Sequence, residues 1–281
     1  MDYMIDARQQ RRAQQGEVTI VLPVEGTRRR AVAPTRRKQR APDLLQGLSD
    51  NAIYDFQRIL ENILSLRQRN NMQIIGMTSA HAHEGTSTII AVLSLLAAVR
   101  QSSHLGIRNG AGGDDPLQRA GVNPPLQNVL LIDTQMKHPI LHSLFDVDFQ
   151  PGLSDYLESR MNLRTCIRNI AHSRLRLLPA GHRTDQPLYY LFFDVLNDLL
   201  ERIKPHLYLI FLDIPPLLEY AEGITLSKLC DGIILNVKSA ATRWESVQEA
   251  KSLAEKANVK IIGTILNKRK SYVPNWVSRC L

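Results

Sequence analysis

An α/β fold with a mostly parallel central sheet and helices on both faces is predicted by three features of the 281-residue sequence. Short, near-continuous apolar runs recur along the chain, amphipathic helical stretches separate them, and two of the runs end in an aspartate. A strand covered on both faces needs such a run. Strand alternating with helix implies parallel pairing through right-handed crossovers. Ligands of such sheets bind at the carboxyl ends of the strands, where the two aspartates fall.

Residues 1–48 read as a disordered basic arm, because Arg, Gln and Pro dominate and only Val18 to Val24 forms an apolar island. The first 50 residues hold 10 of the 35 Lys and Arg and 6 of the 27 Asp and Glu, so half of the formal +8 lies there. Arg28 to Arg30 and Arg36 to Lys38 give the arm an attraction for anionic surfaces, or leave it a solvated linker. The domain proper is expected over 49–270. Ser49 or Asp50 caps a helix with apolar positions Ile53, Phe56, Ile59, Leu60, Ile63 and Leu64. The first strand is Gln73 to Met77, followed by a small-residue loop and a helix over Ser87 to Val99. Residues 101–127, rich in Gly, Pro, Asn and Asp, read as a surface insertion. Further strands are expected at Val129 to Asp133, Leu175 to Leu178, Leu207 to Asp213, Gly232 to Val237 and Val259 to Leu266, with helices over Leu188 to Arg202 and Thr242 to Ala257. Residues 271–281 form a short tail.

Several classes of protein are not expected. The apolar runs are shorter than the roughly 20 residues that cross a bilayer, and the N-terminus has no signal-peptide core. Cys166, Cys230 and Cys280 lie too far apart for a metal knuckle and suggest a reducing cytoplasm. The Arg-rich stretch Arg160, Arg164, Arg168 has the spacing of one solvated helix face, without the aromatic interleaving of single-strand binders, so no specific nucleic acid is expected. His138 and His142 have i, i+4 spacing but no third ligand, and His81 and His83 are weak stand-ins for a cation at neutral pH.

The loop Thr78-Ser-Ala-His-Ala-His-Glu-Gly-Thr-Ser-Thr88 has the layout of a phosphate-binding loop, in which backbone N–H groups and a helix N-terminus meet an anion. The match is damaged: Thr86 stands where the pattern has Lys, and Ala80 where it has its earlier Gly. Asp133 and Asp213, each ending a strand, are the paired carboxylates that Mg²⁺ on nucleotide phosphates requires.

Together these segments resemble the bacterial tyrosine kinases of capsule and exopolysaccharide synthesis, within the ParA/MinD-type P-loop ATPases. The resemblance runs from about Asn51 to Asn267, through TSAHAHEGTST, VLLIDTQMKHPILHSLF, Gly152 to Leu157, Leu178 to Gly181, LDIPP and Gly263 to Asn267. It implies a nucleotide site at Glu84, Gly85, Thr86, Ser87, Thr88 and Asn267, the last near adenine, with Ser87, Asp133 and Asp213 on Mg²⁺ and ATP or ADP as cofactor. Thr86 lacks the charge-assisted phosphate contact, worth roughly 1.5–3 kcal/mol. Gln135 replaces a second acid, and Lys137 replaces an arginine. The tail offers Tyr272 in place of the family's tyrosine cluster.

These departures lead to the expectation of a degenerate, pseudokinase-like member at the inner face of the membrane. It would act mainly by binding a membrane-embedded chain-length or export protein, with homo-oligomerisation open. An active autokinase or ATPase using Lys137, and a ParA/MinD-like positioning ATPase, stand as alternatives.

Overall fold

The computed structural model describes residues 18–23, 44–45, 47–103, 128–159, 161–171, 173–182 and 193–269. Its strands form one sheet of eight: β1 (Val18–Pro23), β2 (Ile74–Ser79), β3 (Val129–Asp133), β4 (Arg168–Asn169), β5 (Leu175–Leu178), β6 (Leu209–Asp213), β7 (Gly232–Lys238) and β8 (Ile261–Arg269). Their order is β1-β8-β7-β2-β6-β3-β5-β4, all parallel except the antiparallel β4–β5 edge. β2, β3 and β6 are buried at every position, in keeping with the apolar residues that lead each of them.

Two apolar clusters sandwich the sheet. On one face lie α1 (Asp50–Asn70) and α2 (Thr86–Ser103). α1 starts at Ser49, whose side chain accepts from Ala52 N at 3.3 Å, and ends at Asn71 in the left-handed region, φ 50°. Its Phe56, Ile59, Leu60, Ile63 and Leu64 are buried. α2 is buried all round from Ile89 to Ala98, which explains why its sequence shows little amphipathic contrast. On the opposite face lie α6 (Phe193–Ile203), α7 (Ala221–Ser227) and α8 (Trp244–Lys256), with α4 (Leu153–Ser159) and α5 (Leu163–Cys166) beyond. A four-residue α3 (Leu141–Leu144) packs by α2.

The structure corrects the reading of the arm at one place: the apolar island becomes β1, which pairs in parallel with β8. Leu44, Leu45 and Leu48 also pack against the α1–α2 cluster, so chain that contributes to the fold begins before residue 49. The arginine clusters, the 104–127 part of the insertion and the 271–281 tail lie outside the described residues, while Gln101 to Ser103 continue α2. No single helix carries Arg164 and Arg168: α5 starts at its own cap, Asn162, and Arg168 lies in β4. His138 precedes α3 across Pro139, so the His138–His142 helical pair does not form. Tyr189, Tyr190 and Phe192 are outside the described residues. Burial pushes the Cys230 thiol pKa up, in keeping with an inert side chain. Among the described residues no helix is long and apolar enough to cross a membrane.

Two of the segments that carry the family resemblance are explained by packing. Leu153 N and Ser154 N donate to the carbonyls of Pro179 and Ala180, each at 2.8 Å. A Cβ on Gly152 would fall 2.3 Å from Gly181 N, so only glycine permits this approach.

Candidate functional site

Strand β2 delivers the chain to residues 80–85, and α2 departs from Thr86. Thr78 Oγ1 donates to Pro215 O at 2.8 Å, and Ile214 N, Leu217 N and Leu218 N bond the carbonyls of Met77, Ser79 and Ala80. The LDIPP segment is thus stitched to the beginning of the loop. Gly85 adopts φ +92°, where a side chain would be strained and would also meet Asn267 Nδ2 at 2.7 Å. The first-turn N–H groups of α2 have no carbonyl to bond within the helix and sit at the positive end of its dipole. An open cleft of about 290 Å³ lies before them, lined among others by Glu84 to Thr88, Gln135, His138 and Tyr220.

The two strand-end aspartates lie side by side. β3 and β6 are neighbours with Asp133 opposite Asp213, and both side chains are fully buried. Burial raises both pKa values, to about 8 for Asp133, where the charge of Asp213 adds to the effect, and to about 7 for Asp213. These titrations belong to the pair. Asp133 Oδ1 accepts from Gln135 N at 3.0 Å and Oδ2 from Leu141 N at 3.2 Å. Asp213 Oδ2, by contrast, is buried without a hydrogen-bond partner.

Gln135 occupies the centre of this group. Its Nε2 donates toward Ser87 Oγ at 3.1 Å and Asp213 Oδ1 at 3.0 Å. An amide nitrogen therefore joins two of the oxygens expected on a cation. The donor set still suits Mg²⁺, since Ser87 Oγ and the unpaired Asp213 Oδ2 are hard oxygen ligands and Asp133 can act through water, provided the Gln135 amide swings away. When bound, the ion would neutralise phosphate charge during transfer.

Thr86, at the position of the missing lysine, points inward: it is buried, and Asn236 Nδ2 donates to its Oγ1 at 3.2 Å. The same Asn236 amide reaches Glu84 O at 3.1 Å, and Asn267 Nδ2 reaches Glu84 O at 2.8 Å. Asn267, expected near adenine, is thus placed against the phosphate loop. The buried Glu84 carboxylate accepts from Thr242 Oγ1 at 2.7 Å, and burial holds its pKa above the usual range despite that bond. Lys137, the candidate replacement cation, turns aside: its Nζ lies 3.6 Å from Glu222 Oε1 and 4.9 Å from the Tyr220 ring centre. His81 contacts Glu219 at 3.3 Å and Ser246 at 3.0 Å, while His83 lines the cleft with φ 62°.

Sequence reasoning missed Asn236, Thr242 and Glu219. Glu219 Oε1 accepts from Ala82 N at 2.9 Å, pinning the loop with a second carboxylate. A polar Asn inside the apolar run GIILNV is the one signal that marks such a residue in the sequence.

No family model matches the chain. Over 222 residues it is 27% identical to the tyrosine-protein kinase CpsD of Streptococcus agalactiae serotype III, covering 79% of this chain and 84% of that protein. It is 29% identical over 141 residues to the tyrosine-protein kinase ptk of Acinetobacter johnsonii, which spans 50% of this chain but only 19% of that longer protein. Among solved structures, the kinase domain of Escherichia coli tyrosine kinase ETK superposes with a TM-score of 0.74 at 19% identity, covering 94% of each chain. The septum site-determining protein MinD of Pyrococcus horikoshii, complexed with Mg-ADP, gives 0.52 at 17% identity over 74% of this chain and 76% of that one. The chain is accordingly a homologue of the bacterial tyrosine-protein kinases, with the P-loop fold that their kinase domains share with MinD.

Proposed function

We propose that this protein is a pseudokinase-like component of capsule or exopolysaccharide synthesis, which binds ATP or ADP weakly and turns it over poorly or not at all. One observation carries the reading: the Gln135 amide bridges Ser87 Oγ and Asp213 Oδ1, where two oxygens would otherwise share a cation. A neutral donor there competes with Mg²⁺, and the inward Thr86 leaves the loop without its own positive charge. Both changes act against transition-state stabilisation while leaving the backbone anion site of the loop and α2 in place.

With catalysis weakened, the function is binding. The resemblance to the kinase family points to a membrane-embedded chain-length or export protein as partner, and to a cytoplasmic position at the inner face of the membrane. The basic residues of the arm supply attraction to that surface.

The test is a calorimetric titration of the protein with ATP and ADP in the presence of Mg²⁺, alongside the Thr86→Lys, Gln135→Asp variant, with phosphate release followed in parallel. Weak binding and negligible turnover are expected for the parent, and tighter, Mg²⁺-dependent binding for the variant. Micromolar affinity with steady turnover in the parent would overturn the pseudokinase assignment in favour of a working autokinase or ATPase.

A further inference from the structure

We infer that Lys268, at the end of β8, supplies the positive charge for bound phosphate that the loop itself has lost at Thr86. The inference rests on the reading of the cleft as a phosphate site.

Gly85 is the point where the loop comes closest to β8. The position a Cβ on Gly85 would take is 2.7 Å from Asn267 Nδ2 and 3.9 Å from Lys268 Cε, one bond from the ammonium nitrogen. Lys268 is therefore carried over the glycine at the mouth of the helix α2 N-terminus. Two features hold it there. Asn267 anchors the strand end to the loop through its 2.8 Å bond to Glu84 O. Lys268 itself takes φ +56°, a left-handed conformation uncommon for a lysine, which turns the chain at that point.

The charges around the loop show why a cation from elsewhere is needed. Glu84 and Glu219 both bond within or against the loop, and Lys137 is committed to Glu222. The His81 ring faces Glu219. Lys268 is exposed, and no acid lies within ion-pair distance of it among the described residues. Its ammonium group can fold over the glycine toward an anion seated on the first-turn N–H groups, a compact point charge of the kind that suits phosphate. The chemistry recognised is that of a di- or triphosphate, independent of the base attached to it.

The test uses the full chain and calorimetric titration with inorganic pyrophosphate and with ADP. Lys268→Met and Lys268→Gln should weaken both ligands roughly tenfold or more, the loss of one charge-assisted contact. Lys268→Arg should stay within about threefold of the parent, since the charge is kept. Adding Thr86→Lys to Lys268→Met should restore affinity, because the charge returns to the loop. The unliganded melting temperature of Lys268→Met should match the parent, so that lost affinity is not lost folding. Undiminished pyrophosphate binding in Lys268→Met would overturn the role of Lys268 and leave the phosphate site standing. A loss confined to ADP would do the same, by moving Lys268 to the base. A parent that binds neither ligand would overturn the phosphate site and, with it, this inference.

Discussion

Asn236 and Thr86 are joined by a 3.2 Å hydrogen bond inside the protein, so the residue at the usual lysine position serves as a buried tie between α2 and β7. The Asn236 amide also supports Glu84 O, while its own Oδ1 has no partner. Replacing Asn236 with Leu should destabilise the fold by about 1–3 kcal/mol, since the buried Thr86 hydroxyl loses its partner. Urea unfolding measures this, and a change below about 0.5 kcal/mol would place the tie among the dispensable contacts.

The Asp133–Asp213 pair makes stability depend on pH in a stated direction. Both carboxyls titrate higher in the folded protein than the 3.8 of an unperturbed aspartate. Between about pH 4 and about pH 8 the folded state binds more protons than the unfolded one, so stability declines as pH rises through that window. Asp213→Asn removes one of the two acids and should flatten the decline, leaving the variant more stable than the parent at about pH 8. Urea midpoints at the two ends of the window decide the matter.

Gln135→Asp puts a third carboxylate beside this pair. Without divalent cations the variant should lose about 1–3 kcal/mol, because the new acid neither donates to Ser87 and Asp213 nor has a counter-charge. Millimolar Mg²⁺ should recover most of the loss in the variant and shift the parent much less. Melting curves with chelator and with Mg²⁺ test both halves of the statement.

Gly152→Ala should cost about 1–3 kcal/mol or more through overpacking, because its Cβ would meet Gly181 N at 2.3 Å and Pro179 O at 2.4 Å, both backbone atoms. The effect should appear in the urea midpoint with the cleft intact. Retained pyrophosphate affinity in the folded variant is the accompanying measurement.

The central strands were legible because β3 and β6 are apolar up to their closing aspartate and β2 opens on Ile74, Ile75 and Met77, a demand made by burial on both faces. Asp133 and Asp213 were legible for a related reason: a lone acid closing such a run has few structural uses. The wiring between them was not. Gln135 reaches Ser87 and Asp213, and Asn236 reaches Thr86, across separations that no local pattern encodes. β1 escaped notice because six residues in an arginine-rich stretch become a strand only once β8 is there to pair with. The arginines near Arg164 and Arg168 misled because spacing alone ignores Asn162, whose side chain caps a new helix and ends the register.

The pairing of β1 with β8 has a consequence for handling the protein. Val18 aligns with Gly263 and Pro23 with Arg269, so this contact joins segments from opposite ends of the described chain. It is the pairing expected to form late and peel first. Removing residues 1–41 to probe the basic arm would also strip the cover from β8, leaving its edge open to pair with another molecule. A truncation that starts after Val24 would breach the sheet, whereas neutralising Arg28 to Arg30 would test the charge alone and leave the edge closed.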